Sequence, residues 1–121
     1  MDLRFRKHEH LRSKADFDRL FARRCSVSDN WLVVFGGRNE FAYSRLGCAV
    51  KKRIGNSPFR NRLRRLYREA FRLTRSELPT GLDLVLLPRD AREPQLEVLR
   101  DSLRKLLPTL ERKLARLERP A

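Results

Sequence analysis

Between Lys51 and Arg75 the chain sets ten basic side chains against one acidic residue, Glu69, so this segment carries a net +9 of the formal +14 of the whole chain. A stretch so charged can fold only if its apolar residues gather on one side. On a helical wheel at about 100° per residue, Phe59, Leu63, Leu66 and Ala70 share an arc, with Phe71 at its edge. Arg64, Arg65, Arg68, Arg72, Arg75 and Asn61 lie opposite, flanked by Arg60 and Arg62. Ser57 as N-cap and Pro58 at the first helical position mark the start, and Pro79 and Gly81 place the end near Glu77. One side of this helix must dock on the protein, and the other is a comb of guanidinium groups. Solvated helix faces mix signs at i,i+4 spacing. Here like charges follow one another turn by turn, a repulsion that phosphates would offset. The excess of arginine over lysine suits bidentate phosphate contact and stacking on bases. A polyanionic partner follows, and charge alone leaves DNA and RNA open.

The remainder reads as one α+β domain spanning all 121 residues, and 40% hydrophobic residues are enough for a packed core. Residues 1–12 form an extended basic leader. Ser13, with Asp16 three residues on, caps a helix over Lys14–Arg23 that puts Phe17, Leu20 and Phe21 on one side. Residues 24–30 are turn-like, with room for one short strand. Trp31–Phe35 is a strand closed by Gly36-Gly37, Arg38–Ser44 a hairpin connection, and Arg45–Lys51 a second strand. In that strand Leu46, Cys48 and Val50 suit a core, while Gly47, Ala49 and Lys51 form a small, basic face that another molecule could approach closely. Lys52–Ser57 is a loop. Leu82–Leu87 is apolar enough to be buried on both faces. A last helix starts near Pro94 with Leu96, Leu99, Leu103, Leu106 and Leu110 as its stripe, breaks or kinks at Pro108, and frays over 111–121. The result is one sheet with helices packed against it.

Several classes fall away. The longest apolar run, Trp31 to Gly37, is too short to span a bilayer, and Met1–Arg12 lacks the apolar core of a secretory signal. Cys25 and Cys48 make neither a disulfide framework nor a metal knuckle and suit a cytoplasmic protein with reduced thiols. His8 and His10 have no third ligand at zinc spacing, and in a mobile terminus nothing would fix them for acid–base cleavage of RNA. The carboxylates (Asp16, Asp18, Asp83, Asp90, Glu93 and others) show no pairing that would hold two metals, which argues against a self-sufficient nuclease. No catalytic or metal-ligating residue is expected.

The run Lys51-Lys52-Arg53-Ile54-Gly55-Asn56-Ser57-Pro58-Phe59-Arg60-Asn61-Arg62-Leu63-Arg64-Arg65-Leu66-Tyr67-Arg68 resembles, without a gap, the RNR signature of the bacterial ribonuclease P protein family. Leu11–Phe17 resembles that family's first helix and Arg45–Val50 the strand before the motif. The resemblance implies an αβββαβα, ribosomal protein S5 domain 2-like fold with a left-handed β-α-β crossover, against the usual right-handed rule. It also implies a protein subunit of a ribozyme that removes 5′ leaders from precursor tRNA, acting in the cytoplasm without an obligate protein partner or a membrane. Catalysis belongs to the RNA subunit, which holds most of the Mg2+; the protein positions the leader and strengthens magnesium and substrate binding. Carried over, the motif puts Arg60, Asn61, Arg62, Arg64, Arg65, Arg68 and Arg72, with Lys52 and Arg53, against the RNA subunit. Phe17, Phe21 and Phe35 match a cleft for the single-stranded leader, with Lys51 and Arg89 at strand ends to hold its phosphates. Phe35 stands where the family often has Tyr, and Ser57 and Pro58 replace an Ala and an apolar residue. The other reading of so basic a chain is a structural, ribosome-associated RNA-binding protein, which gives no reason for the ungapped motif.

Overall fold

A computed structural model describes residues 4–118. The order is α1 (Lys14–Arg23), β1 (Ser26–Ser28), β2 (Leu32–Arg38), β3 (Arg45–Cys48), α2 (Ser57–Thr74), β4 (Leu82–Pro88) and α3 (Leu96–Leu117), with 3-10 turns at Lys7–Glu9, Lys52–Ile54 and Arg75–Glu77. This is the expected αβββαβα arrangement.

The four strands lie in the order β1-β2-β4-β3. β4 runs antiparallel to β2 and parallel to β3. The segment after β2 is therefore not a hairpin. It passes the start of β4 to the far edge, tied there by Asn39 N–H donating to Gly81 O at 2.9 Å. β4 takes the centre because its residues from Leu82 to Leu86 are all buried, and only an inner strand can have both faces covered. Gly81 turns into it with φ +77°, a conformation that favours glycine. β3 and β4 are parallel neighbours joined through α2, and the crossover is the left-handed one.

α2 and α3 cover the back of the sheet, where Leu32, Val34, Leu46, Leu84 and Leu86 meet Leu63, Tyr67, Phe71, Leu99, Leu103, Leu107 and Leu110. The buried stripe of α2 is Leu63, Tyr67, Ala70, Phe71 and Thr74, which adds Tyr67 to the wheel's arc and moves Leu66 to its half-buried edge. The N-cap is Asn56 rather than Ser57: its Oδ1 accepts from Phe59 N–H at 3.0 Å. Asn and Ser cap about equally well, so adjacency alone could not rank them. β2 continues through Gly36-Gly37 to Arg38, because Gly36 lets α3 sit close; a Cβ there would lie 2.4 Å from Leu110 Cδ2. α3 neither breaks at Pro108 nor frays from 111 but runs unbroken to Leu117, held by the buried Leu106, Leu107, Leu110 and Leu114 on both sides of the proline. Residues 119–121 lie outside the described residues. Trp31 precedes β2 and packs on the back core beneath the Arg92 guanidinium, 4.3 Å from its ring, instead of sharing a face with Phe35.

Residues 1–3 of the leader lie outside the described residues, and from Phe5 onward the leader is docked on the domain. His10 bridges to Leu46, Leu11 N–H donates to Leu46 O at 2.8 Å, and Leu11 and Glu9 are buried. Glu9 pairs with Arg75 at the end of α2, and Phe5 meets Phe71 edge-on at 5.7 Å. His8 and His10 are thus ordered, lying against Tyr43 and Phe5 respectively.

Candidate nucleic-acid interface

The exposed side of α2 and the turn before it display the basic motif. Two of its arginines meet carboxylates: Arg62 pairs with Glu93, and Arg72 gives Glu69 two bonds, at 3.0 and 2.6 Å. Two are positioned by neutral groups. Arg60 donates to Gly55 O at 3.1 Å and Ser57 Oγ at 2.9 Å. Arg64 donates to Asn61 Oδ1 at 2.8 Å and Val50 O at 3.4 Å. Lys52, Arg53, Arg65 and Arg68 are exposed and have no hydrogen bond or ion pair among the described residues. Their field reaches inward: burial lowers the His10 pKa, and the cations of Arg12 and Arg68 lower it further. Arg75, on the wheel's basic side, instead turns to Glu9 and the Arg4 carbonyl.

The front of the sheet is covered only in part. α1 crosses it, burying Leu20 beside Leu11 and Val85. Phe17, Phe21 and Phe35 come together here as expected: Phe21 meets Phe35 edge-on at 5.0 Å, and Phe17 lies 6.3 Å from Phe21. All three stay half-exposed. The space beside Gly47 is not open, however. Phe17 fills it, for a Cβ on Gly47 would lie 2.6 Å from Phe17 Cζ and 3.1 Å from Leu11 Cβ. The open strip begins one row further along, at Ala49, Leu87 and Val33, all half-buried, with Val33 in register with Leu87. Because β3 and β4 are parallel, Lys51 and Arg89 fall at the same end of this strip, both exposed, with Arg89 near Ser28 Oγ at 3.5 Å.

At the other end sits a carboxylate that sequence reasoning left among scattered acids. Asp83 is fully buried and takes bonds from Arg45 at 2.8 and 2.7 Å, Arg19 at 2.7 Å and Asn39 at 2.9 Å. Burial alone would raise its pKa; the bonds from Arg45, Asn39 and Arg19 outweigh that and hold it below the ordinary carboxylate range. The only sequence signal was an acid inside an otherwise apolar strand, and such an acid needs partners.

Cys25 and Cys48 are free thiols, and burial pushes Cys48 up to about 12 despite nearby Arg64 and Arg68. Among the described residues no three His, Cys, Asp or Glu side chains gather to hold a metal ion, and no helix is long and apolar enough to cross a membrane.

A helix with an exposed basic face on an α+β sheet, beside a half-buried aromatic cluster, defines a nucleic-acid-binding class of protein. Comparison with known proteins makes this specific. The family model described as Ribonuclease P matches residues 5–111. The ribonuclease P protein component of Thermotoga maritima is 35% identical over 112 residues, 88% of this chain and 96% of that protein. Among solved structures, a Staphylococcus aureus RNase P protein mutant superposes with a TM-score of 0.75 at 28% identity, covering 87% of this chain and 90% of that one. The Thermotoga maritima RNase P protein gives a TM-score of 0.64 at 34% identity, covering 90% and 94%. The chain belongs to the ribonuclease P protein family, and its activity is that of a subunit of this tRNA-processing endoribonuclease.

Proposed function

We propose that the chain serves the ribonuclease P RNA in the cytoplasm by two joined surfaces. The unpaired cations of α2 and Lys52-Arg53 bind the RNA subunit, with Arg60, Asn61, Arg62, Arg64 and Arg72 lining the same contact. The front strip takes the 5′ leader of precursor tRNA as a single strand. Phe17, Phe21 and Phe35 offer stacking worth about 1–3 kcal/mol per base, and Lys51 and Arg89 hold phosphates at its open end. One observation carries this reading: a half-exposed aromatic strip opens at the end of the sheet where Lys51–Arg53 lead into α2, so leader and ribozyme meet side by side. Magnesium keeps several waters and is commonly held through phosphates, and in this reading its macromolecular ligands are RNA phosphates. The protein's part is to neutralise and align the backbone that holds it and so to raise magnesium and substrate affinity, while the bond is broken by the RNA.

The test combines purified protein, ribonuclease P RNA and precursor tRNA at low magnesium. Leader removal that needs both components is expected; cleavage by the protein alone overturns the reading, and no effect of the protein favours a structural RNA-binding role. Arg89→Ala and Phe17→Ala should weaken binding of precursor carrying a leader more than of mature tRNA. Equal loss for both would return these residues to scaffold duty.

A further inference from the structure

The geometry points to a second single-stranded RNA contact at the opposite end of the sheet, where the Phe41–Tyr43 shelf and the cavity beside it take one unpaired nucleotide. This inference rests on the chain being an RNA-binding protein, but not on the leader strip. In the loop between β2 and β3, Phe41 is 45% exposed, one of two large apolar side chains left so open among the described residues. It does not project alone. Tyr43 stacks on it with ring centres 5.1 Å apart and 15° between planes, His8 meets Tyr43 edge-on at 4.9 Å, and the Arg45 guanidinium lies 5.0 Å from the Phe41 ring. Behind the shelf is a cavity of about 250 Å³ lined by His8, Tyr43, Ser44, Phe71 and Thr80 among others.

The loop is held rigid by polar bonds. Asn39 Oδ1 accepts from Phe41 N–H at 2.9 Å, Asn39 Nδ2 donates to Tyr43 O at 3.2 Å and to Asp83, and Asp83 also clamps Arg45. A ring stack fixed in water by a polar scaffold is preorganised for a flat ligand. A single exposed apolar residue is ordinary; two stacked rings with a guanidinium and an adjoining cavity make a platform. The exposed His8 and the half-buried Arg45, itself paired with Asp83, border it; Glu40 is exposed in the same loop, and Glu9, the acid in the lining, is engaged by Arg75. Cores of protein–protein contacts are depleted of charge, whereas base stacking beside cations is how single strands are held. The site lies about 20 Å from Arg89, the span of β4 at roughly 3.3 Å per residue, at the opposite end of the sheet.

The probe is a fluorescein-labelled oligouridine of about eight nucleotides, within the site size of single-strand binders, carrying one 4-thiouridine and used with the full chain. Phe41→Ala removes an exposed ring and should leave far-ultraviolet circular dichroism unchanged. Affinity for the probe is expected to fall about 5- to 150-fold, the worth of one lost stacking contact at about 1–3 kcal/mol. Crosslinks to residues 39–45 should persist in Arg89→Ala. Unchanged affinity in Phe41→Ala, or crosslinks confined to α2 and the front strip, overturns the proposal. So does loss of self-association in sedimentation velocity with probe binding intact, which assigns the shelf to a second copy of the chain. If precursor and mature tRNA binding respond equally to Arg89→Ala while Phe41→Ala still weakens the probe, the strip assignment fails and the shelf stands.

Discussion

On α3, Arg100 and Arg104 are held by the protein's own carboxylates: Arg100 by Glu97 at 2.9 Å, Arg104 by Asp101 at 2.8 Å and by Glu77 at 3.1 Å. On the outer side of α2, Arg65 and Arg68 find none. The spacing explains the contrast. Three residues before Arg100 and Arg104 stand Glu97 and Asp101; three before Arg65 and Arg68 stand Arg62 and Arg65. One helix neutralises itself at i,i+3, and the other stacks cation on cation. A guanidinium count therefore says little about an RNA surface until each group's partner is known. Arg19 and Arg45 on Asp83 and Arg75 on Glu9 belong to the scaffold; Lys52, Arg53, Arg65 and Arg68 meet no carboxylate among the described residues.

The strongest way to break this division is at its most self-neutralised point. Asp83→Asn leaves Arg45 without its charge partner and Arg19 with Asp16 alone at 3.5 Å, and should cost about 2–3 kcal/mol in urea unfolding, somewhat under the loss of a fully buried pair. Its affinity for the RNA subunit, measured where the protein is folded, should stay within about twofold; an RNA defect with normal stability would dissolve the distinction. Next, Arg65→Ala and Arg68→Ala should each weaken RNA-subunit binding by about 1 kcal/mol and lower the log–log salt slope by roughly 0.7–0.9. Their stability should move by less than about 0.5 kcal/mol. An unchanged slope would mean that these side chains never meet phosphate. Arg104→Ala should show the reverse at smaller scale, with a slight fall in the urea midpoint, as exposed pairs give, and no change in slope.

The finest test uses His10 as a reporter. Its folded pKa is depressed by burial and by Arg12 and Arg68, so the unfolded chain binds protons more readily below the ordinary value of 6.5. Its contribution to stability is complete above that value and is lost as pH falls through the folded pKa. The urea midpoint should fall slightly on acidification through this range, and less in Arg68→Ala, whose His10 should titrate higher by NMR. Equal His10 titration in both proteins would show that Arg68 projects away.

Local signals carried much of this. The α2 arc, the Ser13 cap, which accepts from Ala15 and Asp16 N–H at 3.1 and 3.4 Å, and the apolar run of β4 were readable because each depends on neighbours within a turn or two. What escaped depends on distant partners. That β4 separates β2 from β3 is decided by where α2 returns the chain, and no residue in 38–44 encodes it. Glu9 becomes a buried anchor only because Arg75 waits 66 residues later. The Phe17 ring was legible as aromatic but not as the plug beside Gly47, since that contact joins α1 to the far edge of the sheet. Arg72 and Arg62 read as comb teeth because their acids lie three residues away and in the segment after β4, and a wheel shows charge without showing partners.

Asp83 binds α1 through Arg19, β3 through Arg45 and the β2–β3 loop through Asn39, all from the central strand. Three pieces of the molecule are thus gauged from a single carboxylate, like jaws set by one screw. A change at that one atom pair displaces helix, edge strand and loop together, so their relative spacing is inherited from the central strand and not set piece by piece.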